Sequence, residues 1–524
     1  MRASGCGAIA AGHARSAAAG AEILAAGGNA ADALVAAVVA SWAAEPSVSS
    51  PGGGGFLLYR DAGAEEVTLL DFFVAVPGRG APSRSRPMDA FDVDFGTTLQ
   101  RFFYGAPSVA VPGVLAGVAE AHRRWGSRPW ADLLAPGARL ASAGVELIPQ
   151  HAALHRLLDP VLKASKAGRE VFSPGGRPLV EGELVVQEAL AALLERLART
   201  GAADLYGGEL GALASRQVQA EGGRLTLDDL ASYEVVERAA VRVRYRGTTV
   251  LTNAPPSSGG VLLARALGVH DRLGPALEPH SGAWIRRAAA TLREAEELRT
   301  PELQRWILGG GGRELAGEDA LAGAASAVRR NLGRDVESFA DGRTARGTSH
   351  VSVVDRHGNA ASLTSSTGCG SGVFVGDTGL HLNNMLGEED LTTNAADPRP
   401  GSRMTSMMSP TLVTGPGFEA VLGSSGSARI RSAIFRIVTA LVDDRVSATD
   451  AVALPRVHPT GATLECEAGF PEAALDEARA AGEPVNAWPD RNIYFGGAQV
   501  ALVRDGRVDA AGDPRRGGYG IVLD

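Results

Sequence analysis

The stretch "ARGTSHVSVVDRHGNAASLTSS", residues 345–366, sets a hydroxyl residue directly behind a glycine at the point where a strand begins. "HVSVVD" alternates as a strand, "DRHGN" supplies turn chemistry, and "AASLTSS" returns as a second strand, so a hairpin is expected to open at Thr348. Upstream, residues 310–347 are polar and glycine-rich and read as an exposed loop or linker. Downstream, "GLHLNNML" reads as a strand running into a loop. "FEAVLGSSGSARIRSAIFRIVTALVDD" reads as a strand, a glycine-serine turn and a long amphipathic helix. Hairpins and strand-to-helix units in one segment predict a layered α/β or α+β domain.

A threonine at the head of a strand has an ordinary explanation, because β-branching suits strands. The chemistry changes if the Gly347–Thr348 bond is cut. Thr348 then becomes a chain end that carries a hydroxyl nucleophile and, within reach of it, an α-amino base. Glycine before the cut leaves the carbonyl unhindered and permits a distorted backbone. Acyl transfer also needs donors for a developing oxyanion, and "GSSGSARI" offers backbone N–H groups where a strand turns into a helix, although a plain connection would read the same way. Ser365 and Ser366, on the returning strand, are candidates to hydrogen-bond the nucleophile or simply to pair with backbone.

The rest of the chain narrows the field. Its 524 residues exceed the usual limit for one small core, while 45% hydrophobic and 21% charged residues are ordinary for a globular protein. A net charge of -8 with no long basic run argues against a nucleic-acid or membrane-surface role and for a small-molecule substrate. Three scattered cysteines, Cys6, Cys369 and Cys466, form neither a disulfide framework nor a four-ligand zinc site, which fits a reducing, cytoplasmic setting. No signal peptide is read at the start, and the apolar run from Ala33 to Ala44 is too short to span a bilayer. A helix is expected from Ala17 to Ala26, stopped by Gly27-Gly28, and a second from Ala30 to Ala44 capped by Asn29. The glycines Gly52 to Gly55 lead into the strand Phe56 to Tyr59 and read as close backbone approach, since no Lys-Ser/Thr pair closes them as a phosphate loop. Residues 115–267 are mostly helical in pattern, with "PPSSGG" at 255–260 as an abrupt loop. His151 and His155 have helical spacing but lack the intervening glutamate of zinc proteases, and "GSSGS" lacks the last glycine of a serine elbow, so neither a metal nor another cofactor is implied.

Taken together, "GTSHVSVVD", "HGNAASLT", "GLHLNN", "SMMSPTLV" and "GSSGSARI", in this order, resemble the γ-glutamyltransferase family of N-terminal-nucleophile hydrolases. "GGNAADALVAA", "EPSVSSPGGGGFLL", "SVAVPGVLAG", "PPSSGG" and "DPRRGG" extend the similarity over nearly the whole chain. The resemblance implies an α+β fold, a four-layer αββα sandwich, in a precursor that cleaves itself into a large subunit, 1–347, and a small one, 348–524. It makes Thr348 the nucleophile with its freed amine as base, and Ser366 the hydroxyl that assists it. The N–H groups of Gly426 and Ser427 fall on the family's oxyanion site, and Ser349 and His350 belong to the nucleophile block.

The departures concern the substrate. The arginine that holds a γ-glutamyl α-carboxylate in the family is replaced by Phe73 in "LDFFVAVPG", exchanging a bidentate partner for an apolar ring. Polar donor-reading positions read Met385 and Ser406-Met407, and a family asparagine falls near Gly368. Glu388 or Glu389 stands where an acid could take a donor amine. Met385, Met407 and Met408 suit core filling as well as a pocket wall. Arg403, Arg429 and Arg431 are candidates for an anionic substrate group, with a structural role as the alternative for Arg429. Three functions follow: a self-cleaving hydrolase or acyltransferase acting on a small molecule other than glutathione; a natural-product-pathway relative that breaks a C–C bond beside a carbonyl; and an inactive scaffold of the same fold.

Overall fold

The Thr348 hairpin is present and lies inside a seven-stranded sheet. The computed structural model describes residues 7–80, 85–94, 99–332, 347–388, 391 and 399–524. Strand Ser349–Asp355 pairs antiparallel with Ala360–Ser366, Ser349 opposite Ser365 and Val354 opposite Ala360. The turn is tied by Asp355, whose carboxylate accepts from the backbone N–H of His357 at 2.8 Å and from Asn359 Nδ2 at 2.7 Å. The turn expected at "DRHGN" forms, and the Asp355–Asn359 pairing is its mechanism. The sheet runs in the order Tyr519–Leu523, Gly7–Ala11, Ser349–Asp355, Ala360–Ser366, Gly54–Arg60, Thr68–Phe72, Val236–Arg238.

A second sheet of six strands runs Arg507–Gly512, Gly497–Arg504, Phe418–Ser425, Thr411–Gly415, Thr248–Thr252, Val241–Tyr245. The two sheets meet in a shared apolar cluster of Ala8, Val354 and Ala360 from the first with Leu251, Leu412, Val421 and Ala501 from the second. An alternating hairpin would ordinarily leave its polar face wet, yet every residue of both hairpin strands is buried. The polar positions find partners instead of water. Ser352 Oγ donates to the Gln499 carbonyl at 3.2 Å, Ser362 Oγ to the Leu422 carbonyl at 3.0 Å, and His350 Nδ1 lies 2.8 Å from Thr364 Oγ1.

Helix Ala30–Ala44 is capped by Asn29 and Asp32 in a reciprocal capping box, as its sequence predicts, and is buried on all sides. The helix before it spans Ala14–Ala25, starting earlier than the alanine run suggests because His13 Nδ1 accepts from the Arg15 N–H and caps it. The glycine run behaves as close backbone contact: a Cβ on Gly53 would stand 2.5 Å from the Ser366 carbonyl oxygen, and one on Gly55 2.4 Å from that of Thr364. On the far side, helices Ser258–Arg272 and Arg429–Val442 share one large apolar cluster with the second sheet.

Two expectations are corrected. "GLHLNNML" is no regular strand; His381 and Leu382 make single bridges to Phe374 and Gly52 before a short turn at Met385–Gly387. Side-chain amides replace the ladder there, since Asn383 Nδ2 donates to the Gly52 and Ala110 carbonyls at 2.8 and 3.0 Å. Residues 310–332 are not a loop throughout, because Glu318–Asn331 forms a helix burying Leu321, Ala324, Ala325 and Val328. That i, i+3, i+4, i+7 spacing overrides the polar composition. Residues 333–346, the rest of the expected linker, lie outside the described residues.

Candidate active site

Gly347 sits where no side chain fits: a Cβ there would lie 2.3 Å from Val48 Cγ1 and 2.8 Å from the Gly368 carbonyl oxygen. Its carbonyl, part of the peptide bond that a cut before Thr348 would break, accepts a hydrogen bond from Ser366 Oγ at 2.5 Å. The same Oγ accepts from the Gly368 N–H at 2.7 Å, which fixes its proton toward the carbonyl. In the intact chain Ser366 is therefore aimed at the peptide bond preceding Thr348. Ser365, its neighbour, serves the ladder between Ser349 and Gly55.

Thr348 is 7% exposed and borders a small, open-mouthed cavity with about 30 Å³ of space for the centre of a water molecule. Phe73, Gly347, Ser366, Met385, Glu388, Ser406, Met407 and Ser427, all singled out in the sequence, line the same cavity, with Gly368, Leu391, Met408 and Ile430. The methionines answer to both readings, since Met385, Met407 and Met408 wall the cavity and belong to the apolar core. Gly426 precedes Ser427 in the turn between strand Phe418–Ser425 and helix Arg429–Val442. Both have positive φ, +119° and +54°, and a left-handed serine is a strained conformation of the kind that gathers at functional sites. Glu389 lies outside the described residues.

The three arginines all have protein partners. Arg403 pairs with Asp71 at 3.4 Å and stacks over Tyr233 at 4.4 Å. Arg431 is bonded to Glu296 and, at 2.7 Å, to the Met407 sulfur. Burial alone would raise the Glu296 carboxyl, but Arg431 and Arg299 hold it at about 2. Arg429 is not among the lining residues; it stacks over Tyr494 at 4.5 Å and donates to that residue's carbonyl at 3.1 Å. Phe73 is fully buried, stacked 5.4 Å from Phe56, and its backbone is pinned by the Asp71 carboxylate at 2.9 Å and the Tyr233 hydroxyl at 2.7 Å.

"PPSSGG" acquires a purpose here. Ser257 Oγ donates to the carbonyls of Ser406 and Met408 at 2.9 and 3.0 Å, and the N–H groups of Ser258 and Gly259 to Ser406 at 3.0 and 3.1 Å. The start of helix Ser258–Arg272 thus holds the wall segment Ser406–Met408 in place. Glu388 lies beside Gly368, where a Cβ would come within 2.9 Å of its Oε1.

Sequence reasoning passed over Glu45. This carboxyl closes helix Ala30–Ala44, is buried, and accepts from Ser349 Oγ at 3.2 Å and Ser16 Oγ at 3.3 Å. Burial raises it to about 7, against the pull of the two hydroxyls and of Arg516. It therefore stands directly behind the residue after Thr348. A carboxylate ending an otherwise apolar helix was the one available signal. Asn384, within the "GLHLNN" motif, accepts at Oδ1 from the Cys369 N–H at 3.0 Å and steadies the loop after Ser366. His151 and His155 are buried, His151 5.3 Å from the His13 ring and His155 against Phe172. Among the described residues no group of three or more His, Cys, Asp or Glu is placed to hold a metal, and no helix is long and apolar enough to cross a membrane.

The sequence pattern of the gamma-glutamyltranspeptidase family matches residues 16–523. The chain belongs to that family. A glutathione hydrolase proenzyme of Pseudomonas aeruginosa is 32% identical over 99% of this chain and 94% of its own. An acylase ACY 1 proenzyme of a Pseudomonas species is 31% identical over 98% of this chain and 92% of its own. In fold the chain is similar to cephalosporin acylase from Bacillus halodurans, with a TM-score of 0.84 at 23% identity, covering 99% of this chain and 96% of the other. The γ-glutamyltranspeptidase fold here is mixed, of helices and sheets, and the protein is an enzyme of hydrolase or transferase type.

Proposed function

We propose that this γ-glutamyltranspeptidase homologue cuts its own Gly347–Thr348 bond and then uses Thr348 as nucleophile and base on a small molecule other than glutathione. The observation that carries the reading is the Ser366 hydroxyl on the Gly347 carbonyl, 2.5 Å away. In the precursor, Thr348 Oγ attacks the Gly347 carbonyl carbon, the C–N bond breaks and an ester forms. Water then hydrolyses the ester, leaving a carboxylate on Gly347 and a free amine on Thr348. Ser366 polarises the carbonyl in this step, and the turn at Gly426 and Ser427 supplies N–H groups to the oxyanion in the later ones.

In turnover the freed amine takes the proton from Thr348 Oγ as it attacks the substrate carbonyl, and passes it to the leaving group. Water or an acceptor amine releases the acyl group. The family membership and two relatives named as proenzymes support self-cleavage. In fold we read a four-layer αββα arrangement, with helix Ala30–Ala44 behind one sheet and helices Ser258–Arg272 and Arg429–Val442 behind the other. The two products, 1–347 and 348–524, stay joined because both feed strands into the seven-stranded sheet. The reading is tested on a denaturing gel: purified protein is expected as two fragments, and Thr348→Ala as one full-length band. A wild-type chain that stays whole after prolonged incubation sinks it.

A further inference from the structure

We infer that the acyl group received by Thr348 carries no negative charge at its far end and is apolar along its length. The inference rests on the acyl-transfer reading above and adds the substrate class. The cavity beside Thr348 is walled by Phe73, Met385, Leu391, Met407, Met408 and Ile430, with Glu388 as its acidic residue. An anionic head placed there has to lose its water, which costs several kcal/mol unless a cation replaces it.

Among the described residues no lysine or arginine lines the cavity, and three arginines considered for an anionic group are engaged elsewhere. Arg431 is directed to Glu296 and the Met407 sulfur, and Arg403 is held at Asp71 and the Tyr233 ring. Arg429 is turned onto Tyr494 and is absent from the lining. Turning Arg431 into the cavity would take the nearer of two arginine partners from the Glu296 carboxylate, which is 6% exposed, and leave it Arg299 alone at 3.2 Å. Glu388 opposes a second carboxylate at the same place, since like charges within a few ångströms disfavour one another. Phe73 cannot give way to a polar head either, because it is stacked on Phe56 and its backbone is bonded on both sides. What the wall does offer is thioether and ring surface, which adapts to an aliphatic chain.

The test uses the self-cleaved full chain and three anilides that differ only in the acyl group: pentanoyl, glutaryl and γ-glutamyl. Pentanoyl anilide is expected to show a kcat/KM about tenfold or more above the other two. Equal or faster turnover of glutaryl or γ-glutamyl anilide overturns the inference, and so does a self-cleaved enzyme that turns over none of the three. If the gel shows an uncleaved chain, the acyl-transfer reading fails instead. The pocket is then read by calorimetry with pentanamide and glutaramate, where tighter glutaramate binding, or no binding of pentanamide, counts against the inference.

Discussion

Ser366 is bonded to the residue before Thr348 and Glu45 to the residue after it, and only one of the two could be found in the sequence. Ser366 stands at the far end of the same hairpin, so a reading of two paired strands brings it near Thr348 without any tertiary information. Its replacement by alanine removes the donor on the Gly347 carbonyl and should slow self-cleavage by about 10²–10³-fold, the range for losing one oxyanion donor. Ser366→Thr, which keeps the hydroxyl, should restore most of the rate in the same gel time course. Glu45 lies 304 residues from Ser349 in sequence, and nothing local announces that they meet. Its carboxyl binds a proton near pH 7 in the folded chain but near pH 4.5 when unfolded, so the native state holds the extra proton between those values. Stability from this group accordingly falls as pH rises from about 4.5 through 7. Glu45→Gln, which keeps the hydrogen-bonding shape beside Ser349, Ser16 and Arg516, should gain in melting temperature relative to the parent across that window. An unchanged difference between pH 5 and pH 8 would contradict the burial argument.

At the scale of elements, patterns with one dominant cause were legible. The helix Ala30–Ala44, the hairpin and the strand-turn-helix at Gly426 each follow from a cap, a turn pair or an apolar period written into adjacent residues. Elements failed to be legible where side chains substitute for backbone partners, as Asn383 does around His381–Met385, or where composition masks a period, as in Glu318–Asn331. "PPSSGG" was visible as a loop, but its task was not, because the segment it grips, Ser406–Met408, is about 150 residues away. That grip can be loosened. A Cβ on Gly259 would meet the Met407 carbonyl oxygen at 2.2 Å, and neither backbone has room to move freely. Gly259→Ala should lower stability by about 1–3 kcal/mol, as overpacking of a tight core does, and should raise KM more than it lowers kcat because Met407 forms the cavity wall. A melting curve and steady-state kinetics on the fastest anilide check both halves of that expectation.

For the molecule as a whole, the seven-stranded sheet carries a polar hairpin that is buried throughout, and histidines across the fold are buried in their neutral form. Burial holds His350 and His458 at about 3, and His151 at about 3 with added repulsion from the neighbouring His13 and His155; His13 and His381 are held at about 4. In the unfolded chain each takes up its proton near pH 6.5. Between those limits the unfolded state binds more protons than the native one, so stability is complete above pH 6.5 and is lost as pH falls toward 4. Glu45 works in the opposite sense, as do Asp443 and Asp444, whose carboxyls burial also raises, but His155, His270 and His280 are lowered by burial and join the five histidines above, and Glu296, held at about 2 by Arg431 and Arg299, adds further loss below pH 4.5. The melting temperature should therefore drop steadily from pH 7 to pH 5, and replacing His458 by glutamine should flatten part of that slope while removing its 2.7 Å contact with Ser432 Oγ. A melting temperature that holds or rises on acidification to pH 5 would show that these rings are solvated, and that the space between and behind the sheets is not closed in the way their burial implies.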